Sequence, residues 1–276
     1  MALVVITGAT RGIGHAAAVQ LAGAGAEVAL VGRDPERLDA TARAAAAAGD
    51  GAVHQHIADL TLMSEVRELA GVLAERYPQI DVLANNAGAL FASRQETSEG
   101  LERTFALNHL APFLLTNLLR DRLAGGHVIT TASDAHRSGR LSLEDLQSER
   151  SYSAMRVYGT TKLCNILFTR ELARRAPELR ANCFHPGVVR TGFGKNENGI
   201  WKLLTTVGAP FFRSPERGAR SLVWLALSEA AAELDGEYLE DEKVAVPSRQ
   251  ARDDALAREL WERSAALAGL PSDTYT

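Results

Sequence analysis

Residues 3–14 read Leu3-Val4-Val5-Ile6-Thr7-Gly8-Ala9-Thr10-Arg11-Gly12-Ile13-Gly14, and an alanine-rich run follows over residues 15–24. This order predicts a short strand, a glycine turn and a helix. Glycines let backbone N–H groups approach a ligand, and the start of a helix carries partial positive charge, so the arrangement suits a diphosphate. Glycine turns also occur as plain connections, but the strand before this one and the helix after it favour a cofactor site.

The alternation of strand and helix continues along the chain. Further strands are expected at residues 27–31, 52–57, 80–84, 127–132, 180–184 and 238–246, and helices at 36–48, 64–76, 99–117, 158–172, 202–212, 215–227 and 252–267. This pacing implies an α/β fold, a Rossmann-type doubly wound parallel sheet of about seven strands flanked by helices on both faces. The length of 276 residues suits one domain, with a cofactor half to about residue 132 and a catalytic and substrate half from about 133.

Composition narrows the classes of partner. The formal net charge is -4, so no overall positive field attracts nucleic acid or an anionic membrane, and a small molecule is the expected partner. Cys164 and Cys183 lie in apolar runs and fit neither a disulfide framework nor a zinc cluster. His54 and His56 share a strand face without a third ligand at suitable spacing, so no metal site is expected. The start leaves no room for a signal peptide and no apolar run is long enough for a membrane span, so a cytoplasmic protein is expected.

The end of the second strand bears on the choice of cofactor. In a dinucleotide fold an acid at this point grips the adenosine ribose, whereas an arginine accepts a 2′-phosphate. Here Gly32 and Arg33 occupy the position, with Arg11 in the first turn nearby, so NADP is favoured over NAD. The alternative for Arg33 is a surface charge paired with Glu36 or Asp34.

Polar residues follow the third, fourth and fifth predicted strands. Asp59 and Leu60 stand where a strand end would face an adenine, although Asp59 would equally serve as a helix cap. Asn85-Asn86-Ala87-Gly88 follows the fourth strand and is either part of the crevice or a simple turn. Ser133 follows the fifth strand, where a serine either binds a substrate oxygen or caps a turn.

The helix over residues 158–172 carries the candidate for proton transfer. Its apolar positions recur with helical spacing, so Tyr158 and Lys162, four residues apart, share one face. A neighbouring positive charge favours the phenolate and is expected to lower the pKa of the tyrosine towards the neutral range. Alone, this pair is a common coincidence of spacing, and its meaning depends on the other motifs.

Taken together, these motifs resemble the short-chain dehydrogenases/reductases. The resemblance runs through Thr7-Gly8-x-x-x-Gly12-x-Gly14, Asp59, Asn85-Asn86-Ala87-Gly88, Asn108, Ser133, Tyr158-x-x-x-Lys162 and Pro186-Gly187-x-Val189-x-Thr191. Within that family the chain resembles the retinol dehydrogenase group, through Ser133-Asp134-Ala135-His136-Arg137, Lys162-Leu163-Cys164-Asn165 and Lys243-Val244-Ala245.

The resemblance implies a role for each matching residue. The catalytic set would be Ser133 holding the carbonyl oxygen, Tyr158 transferring the proton, Lys162 binding the nicotinamide ribose and lowering the tyrosine pKa, and Asn108 holding a water that links Lys162 to solvent. The residues implied for NADP(H) binding, besides Tyr158 and Lys162, are Gly8, Thr10, Arg11, Gly12, Ile13, Gly14, Arg33, Asp59, Leu60, Asn86, Ala87, Gly88, Pro186, Gly187, Val189 and Thr191.

The expected function is therefore hydride transfer between NADP(H) and the carbonyl or alcohol carbon of an apolar small molecule. Residues 193–212 would close the pocket as an apolar lid or else be ordinary helix packing. Leu163, Leu167 and Arg170 would serve a homo-oligomer interface or else belong to the core, which the sequence does not distinguish. Two alternatives are an NADP-binding sensor or structural member without turnover, and a double-bond reductase of the protochlorophyllide type. Many retinol dehydrogenases carry a membrane-anchoring leader that this sequence does not show, which weakens the expectation of a retinoid.

Overall fold

The computed structural model describes residues 1–189 and 213–271. Its centre is an eight-stranded sheet in the order β3-β2-β1-β4-β5-β6-β7-β8, in which all neighbours are parallel except the last pair. The strands are β1 Leu3–Thr7, β2 Glu27–Gly32, β3 Val53–Ile57, β4 Val82–Asn85, β5 His127–Thr131, β6 Arg180–His185, β7 Tyr238–Glu240 and β8 Lys243–Val244.

The helices cover both faces of the sheet, as expected for a doubly wound fold. They are α1 Gly12–Gly23, α2 Pro35–Ala48, α3 Met63–Arg76, α4 Arg103–Phe105, α5 Ala111–Leu118, α6 Ala154–Arg175, α7 Pro215–Leu227 and α8 Asp254–Leu267. The two faces bury separate apolar clusters, because strands covered on both sides carry apolar side chains in both directions. Cys164 on α6 and Cys183 on β6 are both free thiols buried in this interior.

The eighth strand arises because the run predicted as one strand over 238–246 folds back on itself. Asp241 and Glu242 have positive φ values of 47° and 64°, so they form a two-residue hairpin turn between β7 and β8. The sequence prediction missed this turn because neither residue is glycine or asparagine, the types that usually mark it.

Helix ends depend on carboxylates, some of them distant in sequence. Asp34 accepts the N–H of Arg37 at 3.1 Å and so caps α2, which opens with Pro35. The first N–H groups of α3 are instead bound by Glu99, whose carboxylate lies 2.6 Å from the nitrogen of Met63 and 2.9 Å from that of Ser64. A residue outside the helix therefore starts α3.

The helix predicted over 99–117 begins later and changes its winding. Glu102 accepts the N–H groups of Thr104 and Phe105 and starts α4, and a π-helical turn, Ala106–Leu110, separates α4 from α5. Pro112 has no N–H to donate to the carbonyl of Asn108, four residues earlier, so the regular α-helical ladder is broken at this point.

The second half of the chain matches its prediction in part. Helix α7 has the predicted bounds, and α6 begins four residues before Tyr158. The helix predicted over 252–267 is confirmed as α8, which begins at Asp254 after a 3₁₀ turn, Gln250–Arg252. The helix expected at 202–212, the lid at 193–212 and Thr191 lie outside the described residues. No helix in residues 1–189 or 213–271 has the length and apolar character that crossing a membrane would require.

Candidate active site

The predicted site residues gather at one edge of the sheet. The glycine turn follows β1, Arg33 follows β2, Asp59 and Leu60 follow β3, Asn86 to Gly88 follow β4, Ser133 follows β5, and Pro186 to Val189 follow β6. Because these six strands are parallel, all of their carboxyl ends meet at this edge. The described part of the chain therefore brings the predicted site together, with Thr191 outside its bounds.

Hydrogen bonds lock the ends of β1 and β4 side by side. The Thr7 hydroxyl accepts the N–H groups of Asn86 and Ala87, each at 3.0 Å, and donates to the carbonyl of Ala84 at 3.2 Å. The Asn86 amide donates to the carbonyl of Thr7 at 3.0 Å. Asn86 is therefore more than a turn residue, because its side chain fixes the glycine turn against the neighbouring strand end.

The glycine turn has no space for side chains at two positions. A Cβ on Gly14 would lie 2.3 Å from the carbonyl oxygen of Gly8, and a Cβ on Gly8, whose φ is +67°, would lie 2.8 Å from the Cα of Ala87. The helix that follows begins after Arg11, which makes no side-chain cap, and it has no acidic residue in its first turn. Its first N–H groups are thus suited to an anionic ligand such as a diphosphate.

Arg33 lies beside Asp59 at the end of β2. Its Nη1 is 3.7 Å from the Asp59 carboxylate, and Arg33 remains exposed. The suggested pairing of Arg33 with Glu36 or Asp34 is wrong, because Asp34 caps α2 and pairs with Arg37 at 3.1 Å.

Asp59 does not cap α3, which closes that alternative. Its Oδ1 accepts the backbone N–H and the hydroxyl of Thr61, at 3.0 and 2.8 Å. Burial acts to raise the pKa of Asp59, but the Thr61 hydrogen bonds and the charge of Arg33 outweigh it and lower the pKa. Asp59 therefore stays a carboxylate beside Arg33 at the ends of β2 and β3.

Ser133 and Tyr158 meet at the end of β5. Ser133 caps the 3₁₀ turn Asp134–Arg137 by accepting the N–H of Ala135 at 3.2 Å, and it also hydrogen-bonds the hydroxyl of Tyr158. The turn-cap interpretation of Ser133 is therefore confirmed, and its contact with a substrate oxygen stays a prediction. Burial raises the pKa of Tyr158 to about 12, although the Ser133 hydrogen bond acts in the opposite direction. The predicted lowering of this pKa by Lys162 is wrong, because burial of the phenol dominates.

Lys162 lies under the tyrosine ring and is itself buried. Its Nζ is 5.6 Å from the centre of the Tyr158 ring and donates to the carbonyl of Thr131 at 2.8 Å. Burial lowers the pKa of Lys162 to about 8, so the ammonium form still predominates at neutral pH. The helical spacing thus places both groups on the crevice side of α6, as the sequence predicted.

Asn108 joins the π-helical turn to the catalytic helix. Its side-chain amide donates to the carbonyl of Ala89 at 2.9 Å and to the hydroxyl of Thr161 at 3.0 Å, and its Oδ1 accepts the N–H of Ala89 at 2.8 Å. A Cβ on Gly88 would lie within 3.3 Å of this Oδ1 and 3.4 Å of the Lys162 Nζ. Asn108 and Lys162 therefore approach each other across Gly88, where an added Cβ would require these side chains to shift by a few tenths of an ångström.

The turn after β6 packs against the far side of the crevice. Arg213 donates its backbone N–H to the carbonyl of Val188 at 2.7 Å, and Val189 forms a β-bridge with it. Gly187, with a φ of +79°, lies so close that a Cβ would be 2.5 Å from the Arg213 side chain. Val189 and Ile13 both lie next to Gly218 of α7, where an added Cβ would be 2.6 Å from Val189 and 3.3 Å from Ile13. The turn after β6 therefore lies close to the glycine turn after β1.

Three threonines support the site without appearing among the predicted residues. Thr7 fixes the β1 and β4 ends, Thr131 binds both Lys162 and the side chain of Asn86, and Thr161 accepts from Asn108. Thr7 and Thr131 are the last residues of their strands. Their position at the carboxyl ends of strands is the feature of the sequence that could have identified them as site residues.

Comparison with known proteins agrees with this arrangement. The family model for the short chain dehydrogenases matches residues 2–199. A Streptomyces sp. (strain C5) protein assigned provisionally as daunorubicin C-13 ketoreductase DnrU is 46% identical, over 96% of this chain and 92% of its own. Human retinol dehydrogenase 13 is 37% identical, over 97% of this chain and 84% of its own.

Among solved structures, the alcohol dehydrogenase of the archaeon Thermococcus sibiricus, complexed with 5-hydroxy-NADP, superposes with a TM-score of 0.67. It is 27% identical, and the match covers 87% of this chain and 95% of that one. The chain therefore belongs to the short-chain dehydrogenase/reductase family, as a retinol dehydrogenase-like oxidoreductase that acts on carbonyl or alcohol groups.

Proposed function

We propose that this protein is an NADP-dependent carbonyl reductase or alcohol dehydrogenase in which Tyr158 is the general acid and base. The observation that carries the proposal is the hydrogen-bonded pair of Ser133 and Tyr158 above the buried Lys162. Two hydroxyl groups that converge beside a crevice are suited to a carbonyl oxygen, on which negative charge develops during reduction.

The protonated phenol of Tyr158 favours reduction of a carbonyl group, because this reaction needs a proton donor. With its pKa raised to about 12, the phenol carries a proton at neutral pH and can donate it to the developing alkoxide. Ser133 would hold the same oxygen, and Lys162 would bind the cofactor ribose. Asn108 lies in the π-helical turn beside Lys162, where it would hold a water that links the ammonium to solvent.

The residues around the glycine turn fit a nicotinamide dinucleotide, which supplies the hydride when bound. Gly8, Thr10, Arg11, Gly12, Ile13 and Gly14 would surround the diphosphate. The adenosine end would meet Arg33, Asp59 and Leu60, and the nicotinamide end would meet Asn86, Ala87, Gly88, Pro186, Gly187, Val189 and Thr191. We accordingly retain the division into a cofactor half to about residue 132 and a catalytic half beyond it.

The preference for NADP is supported by two observations. Arg33 is exposed at the end of β2, where its ion pair with Asp59 is long at 3.7 Å and leaves the guanidinium available to a 2′-phosphate. The Thermococcus sibiricus alcohol dehydrogenase that shares this fold was solved with 5-hydroxy-NADP.

The catalytic assignment is tested by Tyr158→Phe, which removes only the hydroxyl. We expect reduction of a panel of ketones and aldehydes, followed by NADPH absorbance, to fall by roughly 10²–10⁴-fold. Tyr77→Phe is the matched control, because the Tyr77 hydroxyl bonds His56, which is not one of the predicted site residues. Full turnover by Tyr158→Phe would show that another group transfers the proton.

The cofactor assignment is tested separately by Arg33→Ala. Loss of a charged contact to the 2′-phosphate should weaken NADPH binding by about 10-fold or more while NADH binding changes little. Arg43→Ala is a suitable control, because Arg43 is an exposed α2 arginine that pairs with Asp39. Equal affinity of the parent enzyme for NADH and NADPH by titration would reject the preference.

The alternatives receive less support. A binding module without turnover has no use for a buried lysine under a tyrosine that is hydrogen-bonded to a serine. The relatives named above are a ketoreductase and a retinol dehydrogenase, which speaks against a double-bond reductase. An apolar substrate remains the expectation for the part of the pocket that residues 193–212 would form.

A further inference from the structure

A charged cavity of about 380 Å³ opens at the carboxyl edge of the sheet, next to the candidate active site. Its walls are formed by the turn after β5, the ends of β6 and β7, and Arg213, which lies two residues before α7. The residues that line it are Asp134, Arg137, His185, Arg213, Glu240 and Asp241.

The cavity shares a wall with the proposed catalytic residues. Asp134 directly follows Ser133, and its backbone N–H donates to Nδ1 of His185 at 3.2 Å. His185 in turn directly precedes Pro186 and Gly187. The cavity lining therefore begins one residue after Ser133 and ends, on the β6 side, one residue before Pro186.

Most of the charge in the cavity is already compensated. Arg137 pairs with Asp134 at 2.6 Å, and Arg213 forms a two-point ion pair with Asp241. Glu240 is different, because it accepts a hydrogen bond from the Tyr238 hydroxyl at 2.9 Å and has no ion pair within residues 1–189 and 213–271. One carboxylate oxygen thus remains available as a strong acceptor.

His185 presents a donor beside this acceptor. Because Nδ1 accepts the N–H of Asp134, the neutral ring carries its proton on Nε2. Burial lowers the pKa of His185, so this neutral form prevails at neutral pH. Within the described ranges, Nε2 makes no hydrogen bond. His185 and Glu240 are register partners on the parallel strands β6 and β7, so their side chains leave the sheet on the same side.

A neighbouring donor and acceptor distinguish between classes of ligand. A hydroxyl satisfies both, because it donates its hydrogen to a carboxylate and accepts on oxygen from an N–H. An ammonium would leave the Nε2–H facing another donor, and a carboxylate would meet the negative charge of Glu240.

We propose that this cavity binds a hydroxyl group of the substrate, remote from the reacting carbonyl, with Glu240 as its acceptor and His185 as its donor. The inference rests on the proposed carbonyl reductase function and names the substrate class as hydroxylated carbonyl compounds. It adds a polar anchor to a pocket for which the sequence alone indicates only apolar contacts.

The test compares hexanal, octanal and decanal with their ω-hydroxy derivatives, using NADPH oxidation to measure kcat/KM. At the chain length that reaches the cavity, the hydroxylated aldehyde should be preferred by about 10-fold or more. The preference should vanish in Glu240→Leu and His185→Phe, and Glu240→Gln, which keeps an acceptor oxygen, should retain part of it. The ratio between paired substrates cancels any loss that a variant imposes on both.

Glu242→Gln is the matched control, because this nearby carboxylate pairs with Arg220 and does not line the cavity. It should keep the preference of the parent enzyme. Turnover of both series with equal kcat/KM at every length would overturn the inference and leave the proposed function standing, as would a preference unaltered in Glu240→Leu and His185→Phe. Absence of NADPH oxidation with all six aldehydes would instead overturn the proposed function and, with it, the inference.

Discussion

At the scale of single residues, the buried ammonium of Lys162 sets the expected response to pH. Burial lowers its pKa to about 8, so the positive charge is present below that pH and is lost as the pH rises through it. Tyr158, with a pKa of about 12, remains protonated over the same range. We therefore expect deprotonation of Lys162 to set the pH above which the rate of carbonyl reduction falls.

We predict that kcat/KM for carbonyl reduction is level through the neutral range and declines above about pH 8, because the ribose contact and the proton path lose their cation. The profile is measured with saturating NADPH and one substrate. Lys162→Arg keeps its charge throughout this range and should lose the decline in whatever activity it retains. A level profile to strongly alkaline pH in the parent enzyme would contradict the prediction.

The residue level also shows where reasoning from the sequence stops. Spacing was sufficient to place Tyr158 and Lys162 on one face of a helix, since it depends only on helical geometry. It indicated the wrong direction for the Tyr158 pKa, because that direction depends on how deeply the phenol is packed. The partner of Arg33 was missed for a similar reason, since Asp59 reaches it from another strand.

Among the elements, the glycine turn leaves no room for an added side chain at Gly14. We predict that Gly14→Ala costs about 1–3 kcal/mol of unfolding free energy, because its Cβ would lie 2.3 Å from the Gly8 carbonyl oxygen. It should also weaken NADPH binding, because the backbone that faces the diphosphate must shift.

Gly71→Ala is the control for this change, measured by urea unfolding. Gly71 lies within α3, where an added Cβ would meet no neighbouring atom within 4 Å, so alanine should stabilise the helix by about 0.5–1 kcal/mol. Equal effects of the two substitutions would mean that the turn relaxes freely.

Elements whose signals are local were predicted well. Helix α7 has its capping Ser214 and its Pro215 at the start, and its predicted bounds are confirmed. Features that depend on distant partners or on a local change of winding were not predicted. Examples are the cap that Glu99 provides at the start of α3 and the π-helical turn around Asn108. Glu99 is 35 residues from Ser64 in the sequence, and neither this hydrogen bond nor the π-helical turn changes the periodicity of apolar residues from which helices are predicted.

For the whole molecule, α8 packs on α6 of the same chain. Leu163 and Leu167 are fully buried within the chain, so the suggestion that they serve an interface between subunits is wrong. Arg170, the third residue suggested for an interface, pairs with Asp254 at the start of α8 at 3.2 Å. The terminal helix of the same chain thus occupies the face that the sequence left open to a partner.

Trp261 is the anchor of this packing. Its ring stacks on Phe168 at 5.9 Å, meets Phe113 edge-on at 4.9 Å and lies under the Arg175 guanidinium at 5.2 Å. We predict that Trp261→Ala lowers the unfolding free energy by about 3–5 kcal/mol in urea titrations. Leu267→Ala, at the partly exposed end of the same helix, should lower it by only about 1 kcal/mol. Similar losses in both variants would indicate that α8 contributes as a whole and not through this ring.

The overall topology was the most predictable level, because strand order in a doubly wound sheet follows from the alternation of elements and the handedness of crossovers. What alternation does not encode is which helix face a later segment covers, so core and interface were indistinguishable for Leu163 and Leu167.

The two buried thiols allow the opening of the protein interior to be measured by their rate of alkylation. Cys164 and Cys183 have no exposed surface, and burial raises the pKa of both, that of Cys183 to about 12. Since the thiolate is the reactive form, neither is alkylated while the interior stays closed. The chain contains no other cysteine, so the slow uptake of a maleimide reports how often the centre of the sheet becomes accessible, without any engineered label.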